Sequence, residues 1–191
     1  LNTSYALELD FLNPDICGTD YGIDACMWIG LPGESGLNGV ADILAGIVNP
    51  SGKLVSTYTY DNLSSPAMQN MWVTPYTNAS EQGLSYGGNG SLYNQYYIAY
   101  QEGIYVGYRY YETRYEDYVL GNSKVGDYNY SDTVAYSFGY GLSYSTVTYS
   151  DFEMTENEDS FTFTVTVKNT SDVAGKDVVA IYMQSPYTDY D

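Results

Sequence analysis

Histidine is missing from this 191-residue sequence, and basic residues are scarce. Six Lys and Arg stand against 24 Asp and Glu, which gives a formal net charge of −18 at pH 7. Without histidine, the chain carries no Ser-His-Asp or Cys-His catalytic group and lacks the commonest transition-metal ligand. Phosphate groups are bound by clustered lysine and arginine, so the charge balance argues against nucleic acids and anionic membrane surfaces as partners. Neutral partners such as carbohydrates, and cations, stay open.

Cysteine is almost as rare, since only Cys17 and Cys26 occur. Two cysteines with neither histidine nor a Cys-x-x-Cys spacing do not make a zinc site, so no metal or cofactor is expected. In a reducing cell such cysteines are usually small buried residues, whereas outside the cell they can close a short disulfide loop. We predict the disulfide, because sequence features described below favour export.

Long apolar runs are absent too, and no segment approaches the roughly 20 apolar residues that span a bilayer. No membrane insertion is therefore expected. The sequence starts at Leu1 rather than at methionine, which favours a processed or incomplete piece of a longer protein. Hydrophobic residues still make up 44% of the chain, enough for a core in one large or two small domains.

Tyrosine is the abundant residue, with 25 copies against five of phenylalanine. Tyrosine suits surfaces that are half apolar and half wet, such as carbohydrate platforms and protein interfaces, although it can also simply replace phenylalanine. Trp72, Tyr76 and Tyr86 lie in a loop-like stretch and could stack on sugar rings. The alternative is a covering loop whose aromatic residues pack on the core or on a neighbouring chain.

The first part of the chain has the pattern of an α/β unit. Residues 25–30 form a short apolar run typical of a buried strand, and residues 54–60 are rich in strand-forming side chains. Between them, apolar residues recur at helical spacing, with Ser35 as the expected N-cap and Gly46 near the helix end. We predict a partial α/β-sandwich domain with a long loop over residues 1–95.

Residues 96–144 are predicted to form a Tyr-rich extended belt that joins two bodies. Gly103 and Gly107 would remove side chains where two surfaces come close. Glu102, Arg109 and Glu112 are candidates for a structural ion pair in a half-buried seam, and we favour that role over catalysis.

Residues 145–191 have the pattern of a β-sandwich. Three strands are predicted, over residues 146–152, 160–169 and 176–184, and the middle one alternates apolar and polar side chains with the period of a sheet that has one wet face. Three strands leave an open edge and an uncovered face, so a partner must cover them. The expected partner is the remainder of a longer enzyme or another copy of the chain.

Four segments carry a family resemblance. They are Glu102-Gly-Ile-Tyr-Val-Gly-Tyr-Arg-Tyr-Tyr, Phe138-Gly-Tyr-Gly-Leu-Ser-Tyr, Asn49-Pro-Ser-Gly-Lys53 and residues 165–179. Together they resemble family 3 glycoside hydrolases, chiefly β-glucosidases of gut and rumen bacteria whose α/β-sandwich and fibronectin-like domains precede the catalytic barrel. The resemblance implies the opening strands of a fibronectin type III-like sandwich at the end of the chain. It also implies that the acid/base Glu lies upstream of Leu1 and the nucleophilic Asp beyond Asp191.

The sequence therefore favours a non-catalytic fragment of a retaining β-glucosidase that works without a cofactor. The alternative is a processed structural protein that assembles through its open sheet edge into an oligomer or filament. Six N-glycosylation sequons occur where about two are expected by chance, and if modified they would make an extracellular or cell-surface glycoprotein. Their acceptors are Asn2, Asn62, Asn78, Asn89, Asn129 and Asn169.

Overall fold

A computed structural model of the chain describes residues 1–69, 71, 74–78, 81, 96–122 and 125–188. The chain divides into two compact units that interleave along the sequence. The first unit comprises Leu1–Gly30 and Val55–Phe138, and the second comprises Leu31–Leu54 and Gly139–Asp191. The protein is a small mixed α/β fold with short two-stranded sheets. The predicted boundaries after residues 95 and 144 stay a prediction about the domains of a longer enzyme.

The first unit consists of short elements. Its helices are α1 (Pro14–Cys17), α3 (Pro66–Gln69), α4 (Tyr108–Val119) and α5 (Tyr130–Thr133), with two 3₁₀ turns at Asp10–Leu12 and Asn62–Ser64. Its strands are β1 (Tyr58–Thr59), β2 (Thr74–Pro75), β3 (Tyr96–Tyr97) and β4 (Val134–Tyr136). Antiparallel pairing joins β1 to β4 and β2 to β3.

Tyrosine rather than aliphatic side chains fills much of the core of the first unit. Among the described residues, the buried apolar side chains all belong to this unit: Leu9, Tyr58, Tyr111, Tyr128 and Val134. A buried phenol needs a hydrogen-bond partner. The Tyr111 hydroxyl lies 3.2 Å from Ser64 Oγ, and the Tyr128 hydroxyl donates to the Tyr111 carbonyl at 3.5 Å. The tyrosine excess is therefore partly a feature of the core.

The α/β pattern at the start of the chain is present only in part. Residues 25–30 form no strand, although Ile29 N donates to the Leu1 carbonyl at 2.9 Å and the Leu1 ammonium donates to the Met27 carbonyl at 2.6 Å. Two bonds to the chain start are too few to build a ladder. The strand predicted over residues 54–60 is reduced to Tyr58–Thr59, since only this stretch faces β4.

The extended belt is a wrong prediction over its central part, because Tyr108–Val119 is the α-helix α4. Tyr108, Tyr111, Tyr115 and Tyr118 recur at i, i+3, i+7 and i+10, which places them along one helix face. No glycine or proline interrupts the segment.

The two belt glycines act differently from the prediction. A Cβ on Gly103 or Gly107 would meet nothing within 4 Å, so neither residue permits close packing. Both have positive φ, 54° and 61°, and Gly107 turns the chain into α4. Backbone conformation explains them, because L side chains rarely adopt this region.

The second unit begins with helix α2 (Gly33–Leu44), which confirms the predicted amphipathic helix and moves its start. Ser35 lies inside the helix rather than at its N-cap. Pro32 occupies the N-cap position without a side-chain hydrogen bond, and its fixed φ of −71° suits the entry into the first turn.

The second unit ends in an antiparallel hairpin of β5 (Val147–Glu156) and β6 (Phe161–Asn169). The register runs from Val147 opposite Asn169 to Glu156 opposite Phe161, with an irregularity between Ser150 and Glu153. Both strands match the predicted segments. Their apolar face is uncovered, however, since Phe152 is 65% and Phe161 is 50% exposed.

The third predicted strand is not formed, since residues 176–184 lie in no helix or strand. A turn held by Asn169 follows β6. Asn169 Oδ1 accepts from Ser171 N at 2.9 Å, and Asn169 Nδ2 donates to the Val173 carbonyl at 2.8 Å. Both bonds hold the turn itself, and residues 176–184 pair with no strand among the described residues.

Candidate functional site

Asn49, in the loop that follows α2, connects distant segments of the second unit. Its Nδ2 donates to the Ala174 carbonyl at 2.9 Å, and its Oδ1 accepts from Ser143 Oγ at 3.2 Å and from Tyr144 N at 3.1 Å. One amide thus joins its own loop to two segments that lie more than 90 positions further along the sequence. An amide side chain offers a donor nitrogen and an acceptor oxygen on separate atoms of the same tip.

Lys53, at the end of the same loop, makes the second connection. Its ammonium donates to the Gly141 carbonyl at 2.8 Å and lies 3.3 Å from Asp177 Oδ1. Asp177 also accepts from the Tyr149 hydroxyl at 2.6 Å and from Val178 N at 2.9 Å. The hydrogen bond from Tyr149, then that from Val178 N, then the Lys53 contact lower the pKa of Asp177. The same bond to Asp177 raises the pKa of the Tyr149 phenol.

Close backbone approaches shape this region. A Cβ on Gly141 would collide with the Gly52 carbonyl oxygen, and a Cβ on Gly175 would collide with the Ser145 side chain. Glycine is therefore required at both positions for the loop after α2 and the segment after β6 to approach the chain near residue 141.

A cavity of about 250 Å³ lies beside these contacts. Basic and hydroxyl side chains line it together with Asp177; the polar lining residues are Lys53, Ser143, Ser145, Thr146, Lys176 and Asp177. Two of the six basic residues of the chain therefore line one cavity. We call it the Lys176 cavity.

The first unit contains an aromatic cluster around α4. The Arg114 guanidinium lies between two rings, 5.3 Å from the centre of Tyr110 and 4.4 Å from that of Tyr128. It also donates to the Tyr110 hydroxyl at 2.7 Å and to the Val125 carbonyl at 3.1 Å. Burial raises the pKa of Tyr128 to about 12, although the nearby Arg114 charge acts in the opposite direction. These contacts tie Arg114 to groups of its own unit and give the cluster a structural character.

The predicted ion pair is not formed. Arg109 stacks over the Tyr108 ring at 5.5 Å, and Glu112 accepts a 2.6 Å hydrogen bond from the Tyr130 hydroxyl. Burial of Tyr130, followed by the bond to Glu112, raises the pKa of Tyr130. Glu102 buries its Oε2 atom without a hydrogen-bond partner. Within the described part of the chain, Lys53 and Asp177 form the ion pair instead. Arg109 and Glu112 lie three positions apart on α4, a spacing that permits contact, but each has another partner, the Tyr108 ring and the Tyr130 hydroxyl.

The stacking candidates are only partly described. Tyr76 is exposed and packs against Tyr97, with ring centres 4.9 Å apart, so one face is already used by its own sheet. Trp72 and Tyr86 lie outside the described residues. A sugar platform formed by the three stays a prediction.

The two cysteines are free thiols, unlike the predicted disulfide. Cys17 ends α1, and its Sγ donates to the Thr19 carbonyl at 3.1 Å, within the turn made by Gly18 at φ 72°. Cys26 is exposed. Where the chain is described, no cluster of acidic, Cys or His side chains could hold a metal ion, and no helix is both long and apolar enough to cross a membrane.

The sequons differ in how accessible their acceptors are. Asn2 and Asn78 are exposed, and Asn62 is half-buried with its Oδ1 accepting from Thr59 Oγ1 at 3.3 Å. Asn129 and Asn169 are exposed but hold the hydroxyls of Ser131 and Ser171, each at 2.8 Å. Asn89 lies outside the described residues. Glycosylation stays a prediction at all six.

Sequence reasoning assigned no role to Asn49, Lys53 or Asp177, although all three lie in the segments that carry the family resemblance. A signal was present in the composition. The chain has only six basic residues, and two of them, Lys53 and Lys176, each follow a glycine.

Comparison with known proteins gives a consistent result. The family model described as "Glycosyl hydrolase family 3 C-terminal domain" matches residues 11–108. "Probable beta-glucosidase K" of Emericella nidulans is 36% identical over 151 residues, covering 79% of this chain and 13% of the relative. "Beta-glucosidase" of Ruminococcus albus is 30% identical over 186 residues, covering 97% of this chain and 15% of the relative.

A solved structure is also similar. Beta-glucosidase 3B from Thermotoga neapolitana, in complex with alpha-D-glucose, matches with 32% identity and a TM-score of 0.45, over 69% of this chain and 14% of that one. The chain spans about one seventh of the length of the relatives it matches.

Proposed function

This chain belongs to glycosyl hydrolase family 3, and we propose that it is part of an enzyme that hydrolyses β-linked glucosides. The observation that carries the proposal is the family match over residues 11–108, supported by relatives named as β-glucosidases. The match covers just over half of the chain, and the relatives extend it across the segments at 138–144 and 165–179.

Within that enzyme, we propose a structural rather than a catalytic role for the chain. Retaining glycoside hydrolysis uses two carboxyl groups about 5 Å apart, one as nucleophile and one as acid/base. Two carboxylates of this chain are already engaged, since Asp177 accepts from Tyr149 and pairs with Lys53, and Glu112 accepts from Tyr130. Asn49 and Lys53 would then serve to hold the loop after α2 against the following β-rich segment.

Activity on an aryl β-glucoside tests both parts of the proposal. The 191-residue chain and the longest natural polypeptide that contains it are assayed side by side, with an aryl α-glucoside as the control substrate. We expect turnover of the β-glucoside by the longer polypeptide alone. Turnover by the homogeneous 191-residue chain would contradict the structural role, and inactivity of both would contradict the glucosidase assignment.

Export and glycosylation are a separate proposal, supported by the exposed acceptors Asn2 and Asn78. The intact mass of the denatured native protein tests it. Discrete glycan increments that disappear in the Asn2→Gln and Asn78→Gln variants are expected. An unmodified mass, 21.2 kDa for this stretch, would contradict it.

One observation favours a second function, self-assembly through the β5–β6 hairpin. Its apolar face is open, with Phe152 65%, Met154 57% and Phe161 50% exposed. The net charge of −18 opposes association, so assembly should strengthen as salt screens the repulsion. Sedimentation of the chain at low and high salt tests this, and a monodisperse monomer at both would exclude it.

A further inference from the structure

The Lys176 cavity has the dimensions of a site for one small molecule. Its volume of about 250 Å³ is several times that of a single water and slightly below the range of pockets that hold drug-sized ligands. Its lining depends on two close approaches that a Cβ would forbid, at Gly141, which lines the cavity, and at Gly175, which lies against the lining residue Ser145. A hexose-sized molecule is the appropriate upper limit.

Among the described residues, the charged side chains that line the cavity comprise one ion pair and one further cation, Lys176. Lys53 and Asp177 compensate each other at 3.3 Å, and Lys53 also serves the Gly141 carbonyl. Both carboxylate oxygens of Asp177 are occupied, Oδ1 by Lys53 and Val178 N, and Oδ2 by the Tyr149 hydroxyl. Lys176 uses its backbone N–H on Ser51 Oγ, and its ammonium has no ion pair within the described residues. The cavity therefore carries an unneutralised positive charge in a strongly acidic chain.

Hydroxyl groups stand next to that charge. Ser143 Oγ donates to Asn49 Oδ1 at 3.2 Å and lies 3.0 Å from Ser145 Oγ. Since the Ser143 proton is directed at Asn49, the 3.0 Å contact is a hydrogen bond from the Ser145 hydroxyl to Ser143 Oγ, and Ser145 must exchange this bond for one to a ligand. An ammonium with three donors and a rotatable hydroxyl together suit an oxyanion, which offers several acceptor lone pairs.

We propose that the Lys176 cavity binds a small oxyanion-bearing molecule of hexose size, through a carboxylate or phosphate group held by Lys176 and Ser145. A neutral sugar of the same size would lack the charge-assisted contact and bind more weakly. The site lies in the second unit and needs none of the carboxylates of a hydrolytic reaction, so it stands independently of the glucosidase assignment.

Calorimetric titration of the full chain with glucuronate, glucose 6-phosphate and glucose tests the proposal. We expect at least one anionic probe to bind more tightly than glucose. Lys176→Gln should weaken that binding about tenfold, the usual scale for loss of a charge-assisted contact. Lys168→Gln is the matched control, because it removes an equal charge from exposed strand β6 outside the cavity, and it should leave the affinity unchanged.

The two anionic probes distinguish carboxylate from phosphate recognition. Equal affinity for glucose, no binding of either anion, or identical affinity of the parent and Lys176→Gln chains would overturn the proposal. Titration of the unmodified chain at rising salt is a second measurement that needs no variant. Affinity for the anion should fall with ionic strength, and a salt-independent affinity would contradict the role of charge.

Discussion

The Lys53 ammonium lies 3.3 Å from Asp177 Oδ1, although 124 positions separate the two residues in the sequence. This ion pair joins the loop after α2 to the segment after β6. Both side chains are about one fifth exposed, at 22% and 20%, so solvent screens the attraction. The hydrogen bond from Tyr149 to Asp177 acts on the same carboxylate and is the larger influence on its pKa.

Acid should weaken this connection. The pKa of Asp177 is lowered in the folded chain from its ordinary value of 3.8, so its contribution to stability is present above that value and is lost as pH falls through the lowered pKa. Thermal unfolding of the parent and Asp177→Asn chains between pH 6 and pH 2 measures the effect. The difference in melting temperature should be present at pH 6 and shrink toward pH 2, and a constant difference would contradict the assignment.

Alkali should act on the aromatic cluster of the first unit. Burial raises the pKa of Tyr128 from 10.0 to about 12, so its contribution to stability is present below pH 10 and is lost as pH rises through 12. Ultraviolet absorbance of tyrosinate, followed together with unfolding, measures this. Tyr128→Phe should reduce the loss of stability above pH 10. The exposed Tyr5 serves as control, and Tyr5→Phe should leave the pH profile unchanged.

The planar guanidinium of Arg114 should matter more than its charge. Arg114→Lys keeps the charge but loses the two ring contacts and the paired donors to Tyr110 and Val125, so it should lower the free energy of unfolding by about 1–2 kcal/mol. Arg109→Lys is the matched control, because Arg109 is exposed and contacts one ring. If both substitutions lower the free energy of unfolding in urea equally, the contacts of Arg114 with the Tyr110 and Tyr128 rings contribute nothing to stability.

Two glycines of α2 provide a test of the packing at the start of that helix. A Cβ on Gly39 meets nothing within 4 Å, so Gly39→Ala should stabilise the chain by about 0.5–1 kcal/mol through helix propensity. A Cβ on Gly36 would lie 2.8 Å from Pro32 Cβ, which should cancel that gain. Urea unfolding measures the free energy of unfolding of both variants. An equal gain in stability for Gly36→Ala would mean that a Cβ at position 36 does not collide with Pro32.

Elements with a strong local pattern could be predicted from the sequence. Helix α2 follows from apolar residues at helical spacing, and β5 and β6 follow from alternation, because each pattern depends on neighbours a few residues away. Helix α4 had such a signal in the spacing of its tyrosines. The glycines before it and its aromatic composition instead favoured the prediction of an extended segment. The strand predicted over residues 176–184 has the right composition, yet these residues pair with no strand in the described part of the chain.

The sequence by itself determined the family, the acidic character, and the positions of α2, β5 and β6. Only the tertiary structure decided which polar residues meet. Asn49 and Lys53 reach Ser143, Gly141, Ala174 and Asp177 across 88 to 125 positions, and no local pattern encodes a contact at that separation. The predicted pairing of Glu102, Arg109 and Glu112 failed for a different reason: closeness in sequence does not fix the partner of a side chain.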